Sequence, residues 1–302
     1  MHKKFYLGSI VKHCGDGNGM RSQLNAKSVV LIMRRDALAA IYHAGSGHPG
    51  GSLSAAELVW YCVSEKHCRG VDSKFVLSKG HCVPILYASG VSLGLVSANE
   101  LNRLRKLNSD FQGHPHVVNT PWVETSTGSL GQGFSVAIGM AMGHRYKDEA
   151  TRIYVMVGDG ELQEGEVWEG AMCAAHYKLD NLCAVIDYNK MQSDDLNENI
   201  MGLEPLRQKW EAFNWHVMEI DGHDFDQIDS AFEEAKATKG RPTVIIAHTI
   251  KGKGVSFMEG VASWHGSVAL RPEELERALR DLDTPEKDIA GYLDGSIWSQ
   301  EQ

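Results

Sequence analysis

The sequence predicts an α/β protein built on a parallel β-sheet with helices on both faces. Short apolar runs rich in β-branched residues occur at 74–77, 153–157, 182–187, 216–220 and 243–248, and at least one helical pattern separates each run from the next. Such alternation is typical of parallel strands joined by crossover helices. The chain has 302 residues, of which 43% are hydrophobic. We therefore expect one large domain with a substantial core.

The helical patterns define the remaining elements. A first helix is predicted over 25–43, where apolar residues recur at helical spacing up to Gly45. A second helix is predicted to begin after Ser52 or Ser54, with Glu57 as its capping-box partner. Further helices are predicted at 81–93, 99–106, 130–146, 167–178, 206–213, 226–237 and 273–282.

The chain divides into three parts by composition. Residues 1–24 form a glycine-punctuated N-terminal arm, residues 25–270 form the main domain, and residues 271–302 carry one helix and a polar, acidic tail that we expect to be loose.

Composition excludes several classes of function. The net charge is −9 and the basic residues are dispersed, so no surface for nucleic acid is predicted. No apolar stretch reaches about 18 residues and no signal peptide is visible, which argues against membrane insertion and secretion. The six cysteines show no C-x-x-C spacing, so we expect reduced thiols and a cytoplasmic protein. No Rossmann fingerprint or P-loop occurs.

Two polar segments follow neighbouring apolar runs. Gly158-Asp159-Gly160 comes directly after the run 153–157, and Asn189 ends the run 182–188. In a parallel sheet both would lie at the carboxyl edge, where open α/β sheets bind ligands. Mg²⁺ takes oxygen ligands from a few protein groups and from substrate phosphates. The flanking glycines let the backbone N–H groups approach an anion closely. The pattern predicts a metal–diphosphate site. A second Gly-Asp-Gly at 15–17 follows no strand and is interpreted as a turn.

This arrangement resembles the thiamine-diphosphate motif, which begins with Gly-Asp-Gly and ends with an asparagine about thirty residues later. The chain also carries, in order, Ser-Gly-His-Pro-Gly at 46–50, Leu-Ser-Lys-Gly-His at 77–81, Gly-His-Pro at 113–115, Thr-Gly-Ser-Leu-Gly-Gln-Gly at 127–133, Gly-Asp-Gly-Glu-Leu-Gln-Glu-Gly at 158–165, and Lys-Gly-Lys-Gly at 251–254 with Trp-His-Gly at 264–266. Together these motifs resemble the diphosphate-binding half of a transketolase over roughly residues 25–270. The resemblance implies the thiamine-diphosphate-binding fold of that family.

The resemblance also implies the cofactors and their ligands. Thiamine diphosphate would bind with Mg²⁺, for which Ca²⁺ or Mn²⁺ are alternatives, and the metal ligands would be Asp159, Asn189 and the backbone carbonyl of Met191. The implied cofactor contacts are His81, Gly128, Ser129, Leu130, Gly158, Gly160, Glu164, Asn189 and His265. Glu164 and Glu169 also match glutamates that the family places at its subunit contact.

Three of the 14 histidines are implied to act on the substrate. By resemblance His48, His114 and His265 line the channel for the sugar hydroxyls and carbonyl, and they form the catalytic set. Lys251 and Lys253 are most simply a solvated basic loop, although a Gly-Lys-Gly segment also suits a lid that closes over bound cofactor.

The activating residue of the family lies elsewhere. In transketolases a glutamate of a separate pyrimidine-binding domain activates the cofactor, and that domain should begin about where this chain ends. The resemblance therefore implies a half-enzyme that pairs with a C-terminal, pyrimidine-binding chain in a heterotetramer. The reaction would transfer a two-carbon ketol unit from a ketose, expected to be phosphorylated, to an aldose.

Three alternatives stay open. The chain could be the alpha-type subunit of a 2-oxoacid dehydrogenase, a fragment of a deoxyxylulose-phosphate synthase, or a non-catalytic thiamine-diphosphate-binding remnant. Ser193 and Asp195 depart from the apolar residue and the glycine that are common in the family, which puts cofactor packing there in question. Ser129 stands where many members have proline. The sequence does not name the donor, the acceptor or the pathway.

Overall fold

A computed structural model of the chain describes residues 19–266 and 268–299, with side chains from residue 26 onward. Five strands form one sheet: β1 (Ser73–Leu77), β2 (Arg152–Gly158), β3 (Leu182–Tyr188), β4 (His216–Asp221) and β5 (Thr243–His248). The order across the sheet is β1-β2-β3-β5-β4, and all neighbouring strands are parallel. The predicted fold class is confirmed.

The helices connect these strands and cover both faces of the sheet. They are α1 (Gly19–Ala44), α2 (Pro49–Ser54), α3 (Ala56–His67), α4 (Val83–Ser92), α5 (Gln132–Tyr146), α6 (Gly165–His176), α7 (Asn197–Ile200), α8 (Leu206–Ala212), α9 (Phe225–Ala237), α10 (Pro272–Asp281) and α11 (Glu286–Asp294). Short 3₁₀ turns occur at Gly80–Cys82, Ala98–Arg103, Gly160–Gln163, Ala262–Trp264 and Ser296–Trp298. No helix in the part of the chain that the structure describes combines the length and apolarity of a membrane span.

The sheet separates two apolar clusters. Along β2, Ile153 and Val155 pack with α5, α6 and α8, whereas Tyr154 and Met156 pack with α1, α3, α9, α10 and α11. Because successive side chains of a strand point to opposite faces, both faces of β2 are buried. A strand buried on both faces has a continuous apolar sequence, which is why these runs are recognisable in the sequence.

The C-terminal segment is ordered where the structure describes it, so the expectation of a loose tail is wrong there. Helix α11 follows α10, and Trp298, 1% exposed, donates its indole N–H to Asp36 Oδ1 on α1 at 2.9 Å. The guanidinium of Arg35 donates to the carbonyl of Leu282 at 2.7 Å. These contacts place the segment in the core cluster of α1. The domain division at residue 270 stays a prediction, residues 1–18 of the predicted arm lie outside the described residues, and residues 19–24 belong to α1.

Two local predictions were wrong. Helix α3 begins after Ala55 without a side-chain cap, because the Ser54 hydroxyl donates to Asp187 Oδ2 at 2.6 Å and Glu57 pairs with Arg34 at 2.6 Å. Ser54 and Glu57 thus bind residues from other segments and do not form the predicted capping box. The segment predicted as a helix at 99–106 is instead the 3₁₀ turn Ala98–Arg103, capped by Ser97.

Of the six cysteines, Cys14 lies outside the described residues, four agree with the expectation of reduced thiols and one differs. Cys62, Cys82 and Cys183 are buried free thiols, and Cys173 is a half-buried free thiol. Cys68 is disulfide-bonded, so the expectation of reduced thiols throughout is wrong. Cys68 is half-buried at the C-terminal cap of α3.

Candidate active site

A cavity of about 380 Å³ lies at the carboxyl edge of the sheet. Loops that follow β1, β2, β3 and β5 form its wall together with α2. Of the residues predicted for the site, it brings together His48, His81, Gly128, Leu130, Gly158, Asp159, Gly160, Glu164, Asn189, Met191 and His265. Residues not assigned a site role from the sequence also line it, namely Gly51, Lys79, Glu161, Gln163, Gln192, Ser193 and Lys251.

Two predicted residues lie outside the cavity lining. His114 and Ser129 are both exposed. The His114 ring packs against Gly128, where an added Cβ would lie 3.2 Å from the ring. His114 is therefore near the rim, and the roles predicted for these two residues stay predictions.

Asp159 presents a buried carboxylate at the end of β2. Its Oδ1 accepts the N–H of Gly160 at 2.9 Å, its Oδ2 accepts the N–H of Lys190 at 2.5 Å, and the residue is 2% exposed. Burial and the neighbouring Asp187 raise the pKa of Asp159 to about 6, although Lys251 and Lys79 act in the opposite direction. A nearby cation favours the ionised form of such a carboxylate.

Asn189 and Met191 complete a set of oxygen donors after β3. The Asn189 amide N–H₂ donates to Asp187 Oδ2 at 3.3 Å, and its Oδ1 accepts the N–H of Met191 at 3.2 Å. These contacts assign the amide orientation. No cluster of three His, Cys, Asp or Glu side chains suited to a metal occurs among the described residues. A metal site here has to use the Asn189 amide and Met191 carbonyl oxygens beside Asp159, and a mixed oxygen set of that kind fits Mg²⁺.

Lys251 extends a buried ammonium into this donor set. Its Nζ donates to the Met191 carbonyl at 2.9 Å and lies 2.7 Å from His265 Nδ1. Burial lowers the pKa of Lys251 to about 8, with Asp159 opposing the shift. The interpretation of this residue as part of a solvated loop is therefore wrong, whereas Lys253 is half-exposed and 3.5 Å from Glu259.

A second buried cation, Lys79, follows β1. Lys79 forms a salt bridge with Asp187, and both side chains are at most 2% exposed. Burial opposes both charges, but Lys79 holds the pKa of Asp187 below its ordinary value and Asp187 raises the pKa of Lys79. Asp187 also accepts hydrogen bonds from Ser54, Thr249 and Asn189. Sequence reasoning missed this pair, although Asp187 is the one charged residue within the apolar run 182–188.

Glu161 fixes the loops around Gly131 and Gly158. Its carboxylate accepts the N–H groups of Gly131 and Gly158, each at 2.9 Å, and the hydroxyl of Ser78. The residue is 2% exposed, and burial raises its pKa. From its place in the sequence, Glu161 is expected only to be an acidic residue in the first turn of a helix. The structure shows instead that it ties together the loops after β1 and β2 and the segment before α5.

Three histidines face one another across the cavity. The ring centroids of His48 and His81 are 5.1 Å apart, those of His81 and His265 are 5.5 Å apart, and those of His48 and His265 are 6.0 Å apart. Burial and neighbouring cations lower the pKa of His48 to about 4 and that of His265 to about 3, and they lower that of His81 well below its ordinary value. All three rings are therefore neutral at pH 7 and can each donate one hydrogen bond.

Comparison with known proteins decides the family. The family model described as transketolase, thiamine diphosphate binding domain, matches residues 25–287. The chain belongs to the transketolase family. It is 38% identical over 273 residues to an apulose-4-phosphate transketolase subunit of Phocaeicola vulgatus, covering 87% of this chain and 92% of that protein. It is 40% identical over 268 residues to the 6-deoxy-6-sulfo-D-fructose transketolase subunit SqwG of a Clostridium species, covering 86% and 97%.

Solved transketolases share the fold. The enzyme from Campylobacter jejuni superposes with a TM-score of 0.78 at 27% sequence identity, covering 91% of this chain and 48% of that one. This transketolase chain thus spans about half the length of the solved structures it matches, and nearly the whole length of the two subunits. The predicted identity as the diphosphate-binding part of a split transketolase is confirmed.

Proposed function

We propose that the chain holds Mg²⁺ and thiamine diphosphate and that, with a second chain, it transfers a two-carbon ketol unit from a ketose to an aldose. The observation that carries this proposal is one cavity in which three oxygen donors meet two buried lysines. Asp159, Asn189 and the carbonyl of Met191 would hold the metal, and Lys79 and Lys251 supply positive charge beside it. Oxygen donors and cations together suit a metal-bound diphosphate.

The surrounding residues would fix the diphosphate. His81 would donate a charge-assisted hydrogen bond to it, and the backbone at Gly160 would lie close to it. A Cβ at Gly160 would stand 3.0 Å from the side chain of Gln192, so the chain has little room for a larger residue there. The bound thiamine diphosphate supplies the carbon nucleophile for cleavage and formation of the C–C bond next to a carbonyl.

The substrate would lie on the histidine side of the cavity. His48 and His265 are neutral and would donate hydrogen bonds to sugar oxygens, with His114 at the rim. The two relatives are named for a sugar phosphate and a sulfonated sugar. We infer a donor ketose that carries an anionic group at the end away from its carbonyl.

A second chain would complete the site. Both relatives are named as subunits, and this chain covers at least 92% of each. A C-terminal, pyrimidine-binding subunit would supply the activating glutamate, in a heterotetramer of two chains of each kind. The cytoplasmic location predicted from the sequence belongs to the same proposal.

The alternatives have less support. The family match favours a transketolase over the alpha-type subunit of a 2-oxoacid dehydrogenase and over a deoxyxylulose-phosphate synthase fragment. A non-catalytic remnant would have no need of buried, paired charges around an open cavity, because such charges cost free energy to bury.

A reconstitution experiment tests the function. The purified chain would be assayed with thiamine diphosphate and Mg²⁺ for ketol transfer from fructose 6-phosphate to an aldose, alone and with the co-purified partner. We expect no transfer by the chain alone and transfer by the pair. Turnover by the chain as a proven single component would contradict the half-enzyme, and a pair that neither binds thiamine diphosphate nor transfers ketol would contradict the function as a whole.

A further inference from the structure

Arg105 carries a positive charge beside the predicted sugar channel. Its Nη2 lies 3.5 Å from His48 Nδ1, and its Nη1 donates to the Ser46 hydroxyl at 3.2 Å. Among the described residues no carboxylate pairs with Arg105, and its buried Nε has no hydrogen-bond partner there. An arginine at a structural surface site would normally face a carboxylate or bulk water. This one faces a histidine that lines the cavity.

The loop that carries Arg105 is fixed on both sides. Arg105 has a φ of +57°, a backbone conformation that few residues other than glycine adopt. Its N–H donates to the Phe111 carbonyl at 2.8 Å. The Phe111 ring stacks on Tyr87 of α4 with centroids 4.0 Å apart. A Cβ at Gly113 would lie 2.8 Å from Arg105 Nε, so the Gly-His-Pro loop rests directly on the guanidinium. The guanidinium is therefore confined next to His48.

This contact determines which ring nitrogen of His48 carries the proton. A guanidinium has donors only and does not lose its proton in proteins, so Nδ1 of His48 has to be the acceptor. The charged and titratable groups near His48 are Arg105, His114 and Lys251, with the rings of His81 and His265, and together with burial they lower the pKa of His48 to about 4. A neutral ring that accepts at Nδ1 carries its proton on Nε2.

We propose that Arg105 is a positioning residue of the sugar channel, which holds His48 in the tautomer protonated on Nε2. His48 then offers the substrate a hydrogen-bond donor and no acceptor, which suits the carbonyl oxygen of a ketose or an aldose. The assignment of the bound group rests on the proposed function, whereas the tautomer rests on the Arg105 contact alone. In the same way, Lys251 Nζ lies 2.7 Å from His265 Nδ1. His48 and His265 would then both present an Nε2–H group to the cavity.

The tautomer can be observed directly. In the full chain labelled with ¹⁵N-histidine, long-range ¹H–¹⁵N correlation at pH 7 distinguishes a protonated from an unprotonated ring nitrogen, and the spectrum of His48→Gln assigns the signals. We expect His48 to carry its proton on Nε2 in the native chain and in Arg105→Lys, which keeps a donor. In Arg105→Met we expect a measurable population with the proton on Nδ1.

A matched control exists in the same chain. Arg241 Nη2 lies 3.3 Å from His216 Nδ1 on the surface, away from the cavity. Arg241→Met removes an arginine–histidine contact of the same kind, so it should leave the His48 signals and ketol transfer unchanged. Circular dichroism of each variant verifies that the chain is folded.

Kinetics of the assembled enzyme separate positioning from substrate binding. For Arg105→Met we expect kcat/KM for the donor ketose to fall by about 2- to 12-fold, the range of one ordinary hydrogen bond. The dissociation constant of thiamine diphosphate should not change, and Arg105→Lys should recover most of the loss.

Three results would overturn the proposal. One is a native His48 protonated on Nδ1, and another is an Arg105→Met spectrum in which His48 is unchanged. The third is a loss confined to KM for anionic ketoses with the tautomer intact, which would make Arg105 an anion-binding residue. A chain that does not bind thiamine diphosphate with its partner would refute the proposed function and leave the tautomer measurement valid.

Discussion

Several charged side chains of the site are buried, and each lies near a group of opposite charge. Lys79 with Asp187, and Lys251 near Asp159, place two cations and two carboxylates within one water-poor region. Removing one member of such a pair leaves the other buried and uncompensated, which costs more free energy than the pair itself contributes. Substitutions in the site should therefore affect ligand binding and folding together, unless the replaced group faces the cavity.

The first prediction distinguishes the metal side of the cavity from the sugar side. Asp159→Ala removes the charged group that we propose as a metal ligand, so thiamine diphosphate should not bind measurably in the presence of Mg²⁺. His48→Ala should leave cofactor affinity nearly intact and lower turnover, because His48 is assigned to the sugar. Calorimetric titration of the assembled variants measures both affinities, and the ketol-transfer assay measures turnover. Native affinity in Asp159→Ala, or complete loss of cofactor in His48→Ala, would show that these roles are wrong.

The second prediction compares two lysines of one loop. Lys251→Met removes an ammonium that we assign to the diphosphate, and a charge-assisted hydrogen bond contributes about 1.5–3 kcal/mol. Thiamine diphosphate affinity should therefore fall by about 10- to 100-fold. Lys253→Met is the control, because Lys253 is half-exposed beside Glu259, and it should change affinity by less than about twofold. Equal losses in the two variants would refute a specific role for Lys251.

Sequence reasoning predicted the cavity residues that follow strands, and it missed those whose contacts depend on a distant partner. Asp159 and Asn189 were predictable because the carboxyl ends of parallel strands meet at one edge. Lys79, Asp187 and Lys251 were not assigned, because burial of a charge becomes visible only when its partner from another segment is in place. Arg105 was missed for the same reason.

At the scale of elements, the buried strands were predicted well, whereas one helix cap and one short helix were not. The run 243–248 coincides with β5, and the other strand predictions differ from the structure by one residue at one or both ends. The predicted cap of α3 was wrong, because the tertiary partners of Ser54 and Glu57 outweigh a local preference of about a few tenths of a kcal/mol. The predicted helix at 99–106 was also wrong, since the segment forms a 3₁₀ turn that ends at Arg103. Strand order could not be predicted, since the alternation of elements is the same for many orders.

The third prediction concerns the contact between α1 and α3. Arg34 and Glu57 form a salt bridge at 2.6 Å with both side chains 6% exposed, and His223 lies 3.1 Å from the same carboxylate. Burial alone would raise the pKa of Glu57, but Arg34 and His223 hold it below its ordinary value. Glu57→Gln should lower the free energy of unfolding at pH 7 by about 3–5 kcal/mol.

The pH dependence of that loss has a defined sign. Because the folded pKa of Glu57 is depressed, its contribution is complete above the ordinary value of 4.5 and is lost as the pH falls through the folded value. The difference in the free energy of unfolding between the native chain and Glu57→Gln, measured by denaturant unfolding, should therefore become smaller as the pH falls below 4.5. Glu276→Gln, at an exposed pair with Arg280, is the control and should match the native chain throughout. A loss independent of pH would contradict the assignment.

At the scale of the whole molecule, the proposed assembly with a second chain needs an exposed surface for the interface. Val136 on α5 and Met172 on α6 are exposed apolar residues, and Glu164 and Glu169, also exposed, lie within eight residues of Met172. An active site divided between two chains requires an interface that is typically larger than about 2,000 Å².

The fourth prediction is the composition of the assembly. Light scattering of the chain, 33.3 kDa, with its partner should give the mass of two copies of each. A heterodimer with one copy of each chain, or a monomer, at concentrations that support ketol transfer would contradict the heterotetramer.

The four hydrogen-bonded neighbours of Asp187 also determine how the protein can be changed. Ser54, Lys79, Asn189 and Thr249 come from four separate segments, so any replacement at position 187 disturbs all of them at once. Variation there would be tolerated only through simultaneous changes at several positions, which random mutagenesis seldom samples. Libraries that seek new sugar acceptors should therefore keep these five positions fixed. They should diversify exposed loop residues such as Leu107 and Val118, where single substitutions cost little stability.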